Sequence, residues 1–203
     1  FAFWDELERI LLVARDRLGI KPLYYTLGGD RFAFASEIKA LLPFLNRREP
    51  DDEAIFEFLT FQNVLSARTF FRNVRKLRPG RWLSWQADKL REGTFWGISF
   101  PPPFDGTYDE AQQRYLEALE SSVTRHLRSD VEVGAYLSGG FDSSTVATLA
   151  KERVGKTFHT FTGAFADRPY YDERPGSRAV ANKIGAELHE IEITPRDYAE
   201  HIE

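Results

Sequence analysis

Cysteine and methionine are both absent from the 203 residues of the chain. The first absence excludes disulfides, thiolate metal sites and a thiol nucleophile within these residues. Because translation begins with methionine, the start at Phe1 predicts that the chain is a piece of a longer protein. No apolar run approaches the roughly 20 residues of a membrane span, and no signal-peptide pattern opens the chain. We therefore expect a cytoplasmic location.

A strong excess of either charge is also missing. The chain has 27 Lys and Arg residues against 31 Asp and Glu residues, a formal net charge of -4 and a pI near 5.7. This balance provides no electrostatic reason to expect a nucleic-acid or membrane partner and favours small-molecule chemistry. A homodimer is a separate expectation. The length and the 42% hydrophobic content allow one domain or two modest ones.

The first part of the chain predicts antiparallel β structure. Glycines at Gly28 and Gly29, followed by Asp30, are typical of a tight hairpin between aromatic and aliphatic runs. The predicted strands are residues 9–14, 22–26, 31–35, 81–85 and 90–96.

Two short helices are predicted between these strands. Ser36 has the residue type and position of an N-cap for the segment EIKALL. Asp51 is the second predicted cap, and the spacing of Ile55, Phe56 and Leu59 predicts one buried face for the helix that follows.

Three successive prolines at 101–103 interrupt any helix or strand and predict a linker. The predicted division is residues 1–98, a linker at 99–107, and residues 108–203. Beyond the linker, Tyr115, Leu119, Val123 and Leu127 recur every four residues, which predicts an amphipathic packing helix.

Strands and helices then alternate. The pattern predicts strands at 131–137, 157–163 and 187–193 and helices at 143–153 and 173–184. Such alternation favours parallel strands with ligands gathered at their carboxyl ends.

The segment LSGGFDSST, residues 137–145, lies at the end of the first of these strands. Gly139 and Gly140 allow close backbone approach at a helix start, where free N–H groups favour an anion. A carboxylate beside phosphates is typical of a shared Mg²⁺ ion, and Asp142 provides one. The loop lacks the lysine of a Walker A motif. The alternative is an ordinary strand-to-helix turn with Asp142 or Ser143 as the cap.

The motif SGGFDSS resembles the pyrophosphate loop of the N-type ATP pyrophosphatases. The upstream segments ARDRLGIKPLYY and FASEIKALL, and the downstream segments TFTGAF, YDE and AVANKIGAELHE, are similar to those of glutamine-hydrolysing asparagine synthetase. The resemblance implies a fold of both α/β and α+β type in two domains. The first would be the C-terminal part of an αββα glutaminase sandwich, and the second the start of a parallel, Rossmann-like ATP pyrophosphatase domain.

The resemblance also implies a function and its site residues. ATP and aspartate would form β-aspartyl-AMP and pyrophosphate, and ammonia from glutamine would displace AMP. Mg²⁺ would be held by Asp142, and Asp172 and Glu173 would lie at the edge of the ATP site or act as helix-start acids. The residues implied to contact ATP or pyrophosphate are Leu137, Ser138, Gly139, Gly140, Asp142, Ser143, Ser144 and Gly163.

Other matching residues have simpler interpretations. His189 and Glu190 resemble a histidine and glutamate pair of the family, although a strand histidine is more often a packing or surface residue. Ser36 and Glu37 are explained as a cap and a first-turn acid. A structural role in a charged turn is predicted for Arg15, Asp16, Gly19, Lys21 and Pro22.

The nucleophile that the resemblance implies is an N-terminal cysteine, which we expect upstream of Phe1. We therefore assign no catalytic residue within the chain and expect the chain to be inactive alone. Two rival functions stay open. One is a β-lactam-synthetase-like or other antibiotic-pathway enzyme that adenylates a carboxylate, and the other is a non-catalytic nucleotide-binding or regulatory homologue.

Overall fold

The computed structural model describes residues 1–28, 31–165 and 169–201. Two compact units divide the chain, Phe1–Pro102 and Pro103–Glu203. The protein is of mixed α/β type with several sheets, one of which is parallel, as the sequence predicts. The functional assignment and the exact bounds of the two predicted domains stay predictions.

Seven strands form two antiparallel sheets in the first unit. One sheet has the order β1-β2-β6-β7 and the other β4-β3-β5. Val13, Tyr25, Leu77 and Leu83 form the buried cluster of this unit. The strands are β1 Ala2–Asp5, β2 Ile10–Ala14, β3 Tyr24–Gly28, β4 Arg31–Ala35, β5 Val74–Lys76, β6 Arg81–Gln86 and β7 Lys89–Thr94.

The pairing predicted for two hairpins is confirmed. Strands β3 and β4 pair antiparallel, as do β6 and β7. The turn residues Gly29 and Asp30 of the first hairpin lie outside the described residues. In the second hairpin Ala87 and Asp88 both have positive φ, the backbone conformation of a two-residue turn that matches strand twist. Strand β1 was not predicted.

The prediction of Ser36 as an N-cap is wrong. A 3₁₀ helix covers Ile38–Phe44, its cap position is Glu37, and no side chain among the described residues caps it. Pro43 lies inside this helix and has no N–H to donate, which disfavours a regular α-helix at this point.

Helix α1 spans Asp52–Phe61, and its predicted cap is confirmed because Asp51 Oδ1 accepts a hydrogen bond from the Ala54 amide at 3.2 Å. The predicted buried face is wrong. Ile55, Phe56 and Leu59 are 37%, 71% and 75% exposed. The helix instead buries the side of Ala54 and is anchored by the buried Asp51 carboxylate. Large apolar residues lie on several sides of this helix, so their spacing did not specify which side packs inward.

The second unit alternates helices and strands as predicted. Its sheet has the order β10-β9-β8 and is parallel throughout. Val123, Leu137, Ala147, Ala150, Phe158 and Ala181 form its buried core. The elements are α2 Tyr108–His126, β8 Ala135–Tyr136, α3 Phe141–Val154, β9 His159–Ala164, α4 Arg174–Ile184, β10 Glu187–Glu192 and α5 Pro195–His201.

Two predicted details of this unit are wrong. The first strand comprises two residues rather than residues 131–137. The strand begins only after Gly134. A Cβ at this position would lie 2.7 Å from the His159 carbonyl oxygen of β9, so the close approach requires glycine. Because a glycine weakens a strand, regular pairing starts after it. In α2 the predicted face is confirmed at Leu119, Val123 and Leu127, which pack in or against the core, but it is wrong at Tyr115, which is 68% exposed.

Within the described residues, no helix is both long and apolar enough to cross a membrane.

Candidate functional site

The loop between β8 and α3 lies at the carboxyl end of the parallel sheet, where ligands of such sheets gather. Leu137 begins this loop. Its amide donates to the Phe161 carbonyl at 2.9 Å, and its carbonyl accepts a hydrogen bond from the Thr162 hydroxyl. The Leu137 side chain is 1% exposed and belongs to the core. The side chain of Leu137 is therefore part of the core, and both of its backbone polar groups are hydrogen-bonded to β9.

Gly139 is required by the fold itself. Its φ of +78° lies in the left-handed region that favours glycine. A Cβ at this position would lie 2.5 Å from the Gly176 carbonyl carbon and 2.6 Å from the Ser177 nitrogen, both backbone atoms of α4. The loop that precedes α3 therefore meets the first turn of α4 at this residue.

Gly140 has a different role. It is the N-cap of α3, with φ -71° and ψ 164°, and no described side chain caps this helix. By contrast, Asp51 caps α1 and Thr107 caps α2. A Cβ on Gly140 would contact only the Ser138 hydroxyl, at 3.3 Å. The exposed start of α3 thus presents backbone N–H groups and the positive end of the helix dipole to solvent, which suits an anion.

The loop hydroxyls bond one another. The Ser138 and Ser143 hydroxyl oxygens are 2.9 Å apart, and Ser143 Oγ also accepts the Ser138 amide at 3.2 Å. Ser138 Oγ in turn accepts the Gly140 amide at 3.3 Å. These bonds hold the shape of the loop. The Ser144 hydroxyl is buried and has no hydrogen-bond partner among the described residues.

Asp142 is exposed on the first turn of α3 and is the only acid of that turn. Carboxylate oxygens are preferred Mg²⁺ ligands, and Mg²⁺ commonly binds one or two carboxylates together with phosphate oxygens. An exposed carboxylate beside uncapped N–H groups fits a magnesium ion that accompanies a phosphate group. No other acid lies in the loop that precedes α3.

Gly163 is the residue before the last of β9, at the same carboxyl edge of the sheet as the loop. A Cβ on it would lie 3.2 Å from Ile193 Cδ1. The site residues predicted on β8 and β9 therefore come together at one edge, as parallel pairing of these strands requires.

Asp172 and Glu173 precede α4, whose start contacts Gly139. Asp172 accepts two hydrogen bonds from the Arg174 guanidinium at 2.8 and 2.9 Å and a third from its amide at 3.1 Å. The side-chain hydrogen bonds from Arg174 lower the pKa of Asp172. Glu173 occupies the cap position without a side-chain cap bond. Asp172 is thus committed to holding Arg174, which also lies 3.6 Å from Glu192.

The predicted pair His189 and Glu190 is split between two faces of β10. Glu190 accepts two hydrogen bonds at 2.6 Å from the Arg178 guanidinium and ties α4 to the strand. Hydrogen bonding to Arg178 lowers the pKa of Glu190. His189 instead lies beside His159 on the opposite face.

In the first unit, the motif at residues 15–22 forms a hydrogen-bonded turn. Arg15 donates to the backbone carbonyls of Lys21, Gly19 and Leu77 at 2.9, 2.7 and 2.7 Å. Asp16 accepts the Ile20 and Lys21 amides at 2.8 and 3.0 Å, and the Lys21 amide is the main cause that lowers the pKa of Asp16. Gly19 has φ +68°. These contacts give the motif the shape-holding role that the sequence predicts for it.

A cavity of about 220 Å³ lies against this turn. Charged and polar groups of the turn line it beside apolar side chains, and Pro22 and Ser36 also reach it. The lining residues are Phe1, Ala14, Arg15, Asp16, Lys21, Pro22, Leu23, Ser36 and Phe95.

Sequence reasoning missed Thr162, Arg174 and Gly176. Gly176 had a signal, because a glycine in the first turn of a helix costs stability and indicates close approach of another backbone. Arg174 follows Asp172 by two residues, but that spacing alone does not indicate a bidentate pair. The hydrogen bond from Thr162 to the Leu137 carbonyl depends on β8 and β9 being neighbours in the sheet.

Two family models match the chain. The model for the glutamine amidotransferase domain matches residues 1–96, and the model for asparagine synthase matches residues 114–203. Glutamine-hydrolysing asparagine synthetase 1 of Bacillus subtilis (strain 168) is 35% identical over 199 residues, which cover 98% of this chain and 31% of that protein. Glutamine-hydrolysing asparagine synthetase 3 of the same organism is 31% identical over 223 residues, covering 100% of this chain and 35% of that protein.

A relative with a different name also matches. The amidase chry2 of Gibberella zeae is 32% identical over 211 residues, covering 95% of this chain and 31% of that protein. The chain spans about a third of the length of these curated relatives. The family matches leave only residues 97–113 uncovered, and the two Bacillus subtilis relatives match 98% and 100% of the chain. The chain belongs to the family of the glutamine-hydrolysing asparagine synthetases.

Proposed function

We propose that the protein containing this chain makes asparagine from aspartate in an ATP-dependent reaction, with glutamine as the source of ammonia. An oxygen of the aspartate side-chain carboxylate attacks the α-phosphorus of ATP, and pyrophosphate leaves. Ammonia then attacks the activated carbonyl carbon of β-aspartyl-AMP, and AMP leaves. This function fits a cytoplasmic enzyme whose partners are small molecules.

The observation that carries the proposal is the uncapped start of α3. Its N-cap, Gly140, is exposed and has no side chain, so the N–H groups of the first turn can donate to phosphate oxygens. Such donors are fixed before the reaction and stabilise charge on the leaving pyrophosphate. Ser138 and Ser143 keep the loop in shape. We assign the contact with the adenosine group to Leu137 and Gly163, which lie at the carboxyl ends of the first two strands of this sheet.

Magnesium supplies charge neutralisation of the phosphates when it is bound. Asp142 is the residue we assign to hold it, and the exposure of this carboxylate supports the assignment. Asp172 and Glu173 lie at the edge of the same site, where Asp172 orients Arg174 rather than the ion.

The finer fold assignment is part of the proposal. We assign residues 1–98 to the C-terminal part of an αββα glutaminase sandwich and residues 108–203 to the start of a Rossmann-like ATP pyrophosphatase domain, with a linker at 99–107. The two antiparallel sheets of the first unit and the parallel sheet of the second support it.

The test is pyrophosphate release by the complete protein with ATP, Mg²⁺ and aspartate, with and without glutamine. We expect release that depends on aspartate, and asparagine as the product. Asp142→Asn should lower the release rate by at least about a hundredfold, the low end of what one well-placed electrostatic group contributes, and should leave glutamine hydrolysis largely intact.

Asp109→Asn is the matched control. Asp109 is the second residue of α2 as Asp142 is the second residue of α3, so both substitutions remove one acid from the same position of a helix dipole. Equal losses in the two variants would show that Asp142 acts on helix stability and not on the reaction.

A second candidate function is adenylation of a different carboxylic acid followed by amide formation, because the α3 start and Asp142 are assigned to the phosphates of ATP and not to the acid that is activated. Pyrophosphate release that ignores aspartate but responds to another acid would support this candidate. Failure of the complete protein to bind ATP would instead support a non-catalytic regulatory homologue.

A further inference from the structure

Three potential metal ligands lie together on one face of the parallel sheet. His159 begins β9, Glu187 begins β10 directly beside it, and His189 follows two residues later. The alternate residues Phe158 and Leu188 point to the core. The three side chains therefore share the opposite face, at the amino end of the strands, whereas the loop between β8 and α3 lies at the carboxyl end.

The ligand atoms are already close. His159 Nδ1 and His189 Nε2 are 2.9 Å apart. The two oxygens of Glu187 lie 3.7 Å from these nitrogens, one oxygen from each. All three groups offer a ligand atom within 4.8 Å of the others. Tetrahedral zinc with bonds of about 2.0–2.2 Å separates its ligands by roughly 3.3 Å, so small side-chain rotations bring this set to binding distance.

The arrangement is open to a cation as well as to a hydrogen bond between the two imidazoles. Two imidazole nitrogens at 2.9 Å must either share one proton or direct both lone pairs at a positive centre. Glu187 lies at the same distance from both nitrogens, beyond a direct hydrogen bond to either, as a third ligand of one central ion would. Phe161 stacks on His189 with ring centroids 5.0 Å apart and limits its rotation.

We propose that His159, Glu187 and His189 form a binding site for a divalent transition metal ion of the zinc class. Two imidazoles and one carboxylate favour zinc, cobalt or nickel over magnesium, which prefers oxygen ligands. Three protein ligands leave a fourth position open to water or another donor. Because the ion would bridge β9 and β10, its binding stabilises the sheet.

The test titrates Co²⁺ into the complete protein, purified without a polyhistidine tag, and follows visible absorption. We expect intense bands of a tetrahedral cobalt site, which one equivalent of Zn²⁺ abolishes. His189→Ala and Glu187→Gln should each weaken Co²⁺ binding by more than about tenfold, since loss of even an outer-shell partner costs that much. His126→Ala is the control, because His126 lies on α2 and contacts the Ser122 carbonyl.

Thermal unfolding provides an independent readout. Zn²⁺ should raise the unfolding temperature of the wild-type protein and of His126→Ala, but not that of the double variant with both His159 and His189 replaced by alanine. Circular dichroism of the metal-free variants shows whether they fold. Unchanged Co²⁺ absorption or an unchanged Zn²⁺ effect in a folded double variant would overturn the proposal and mark the binding as adventitious.

Discussion

Substituting alanine for Gly139 separates the structural role of the loop from its binding role. The left-handed backbone at this position costs a non-glycine residue about 1–2 kcal/mol. The new Cβ would also lie 2.5–2.7 Å from three backbone atoms of Gly176 and Ser177, and overpacking of this kind costs about 1–3 kcal/mol. We therefore expect Gly139→Ala to lower the free energy of unfolding by roughly 2–5 kcal/mol.

The comparison is Gly140→Ala, one residue along the same loop. At φ -71° alanine fits, and its Cβ would contact only the Ser138 hydroxyl, so the change in unfolding free energy should stay within about 1 kcal/mol. A methyl group at the exposed helix start, however, hinders close approach of phosphate to the backbone. Gly140→Ala should therefore weaken ATP binding while the protein stays folded.

Urea denaturation and thermal unfolding measure the loss of stability in Gly139→Ala. Calorimetry of ATP binding measures the loss of ATP affinity in Gly140→Ala. For Gly139→Ala, the unfolding temperature should fall by at least about 4 °C, even if all 203 residues unfold together. A Gly139→Ala protein with wild-type stability would refute the packing argument. A Gly140→Ala protein with wild-type ATP affinity would refute the role of the α3 start in phosphate binding.

Asp51→Ala should destabilise the first unit by about 1 kcal/mol through loss of the α1 cap, measured by urea denaturation, and no effect would contradict the cap. Burial raises the pKa of Asp51, but hydrogen bonds from Arg68 and from the Ala54 amide outweigh it and leave this pKa lowered. A lowered folded-state pKa stabilises the fold above the unfolded pKa of about 3.9, and this stability is lost as the pH falls through the folded value. Asp51→Asn should thus reduce the loss of unfolding free energy that occurs below about pH 4. An unchanged dependence of stability on pH would contradict this prediction. Gly19→Ala should lower the free energy of unfolding by about 2 kcal/mol or more, because φ is +68° and the new Cβ would lie 2.7 Å from Pro79 Cγ. An unchanged urea midpoint would refute this prediction.

The features predictable from the sequence depend on local pattern. The alternation of strands and helices after residue 130 and the Asp51 cap each need only a few adjacent residues, and both are present. The meeting of Gly139 with Gly176 depends instead on two segments 37 positions apart, which approach only because β8 and β9 are parallel neighbours with α3 and α4 beside them. The glycine at position 176 indicates a close approach, but no single-sequence signal specifies Gly139 as its partner.

The incorrect predictions have a common physical origin. Helix α1 carries large apolar residues on several sides, and which side is buried depends on what packs against it rather than on its own period. Ser36 has the chemistry of a cap, but Pro43 favours a 3₁₀ helix that begins later. Local preference fails in both cases because another constraint decides the packing.

In the loop between β8 and α3, the backbone and the side chains have different roles. Ser138 and Ser143 use their hydroxyls on each other and on the loop backbone, so these groups must exchange existing hydrogen bonds before they can bind phosphate. The N–H groups at the α3 start lack a side-chain cap and need no such exchange. Binding energy for an anion is consequently expected first from the backbone beyond Gly140, and the serines contribute by holding that backbone in position.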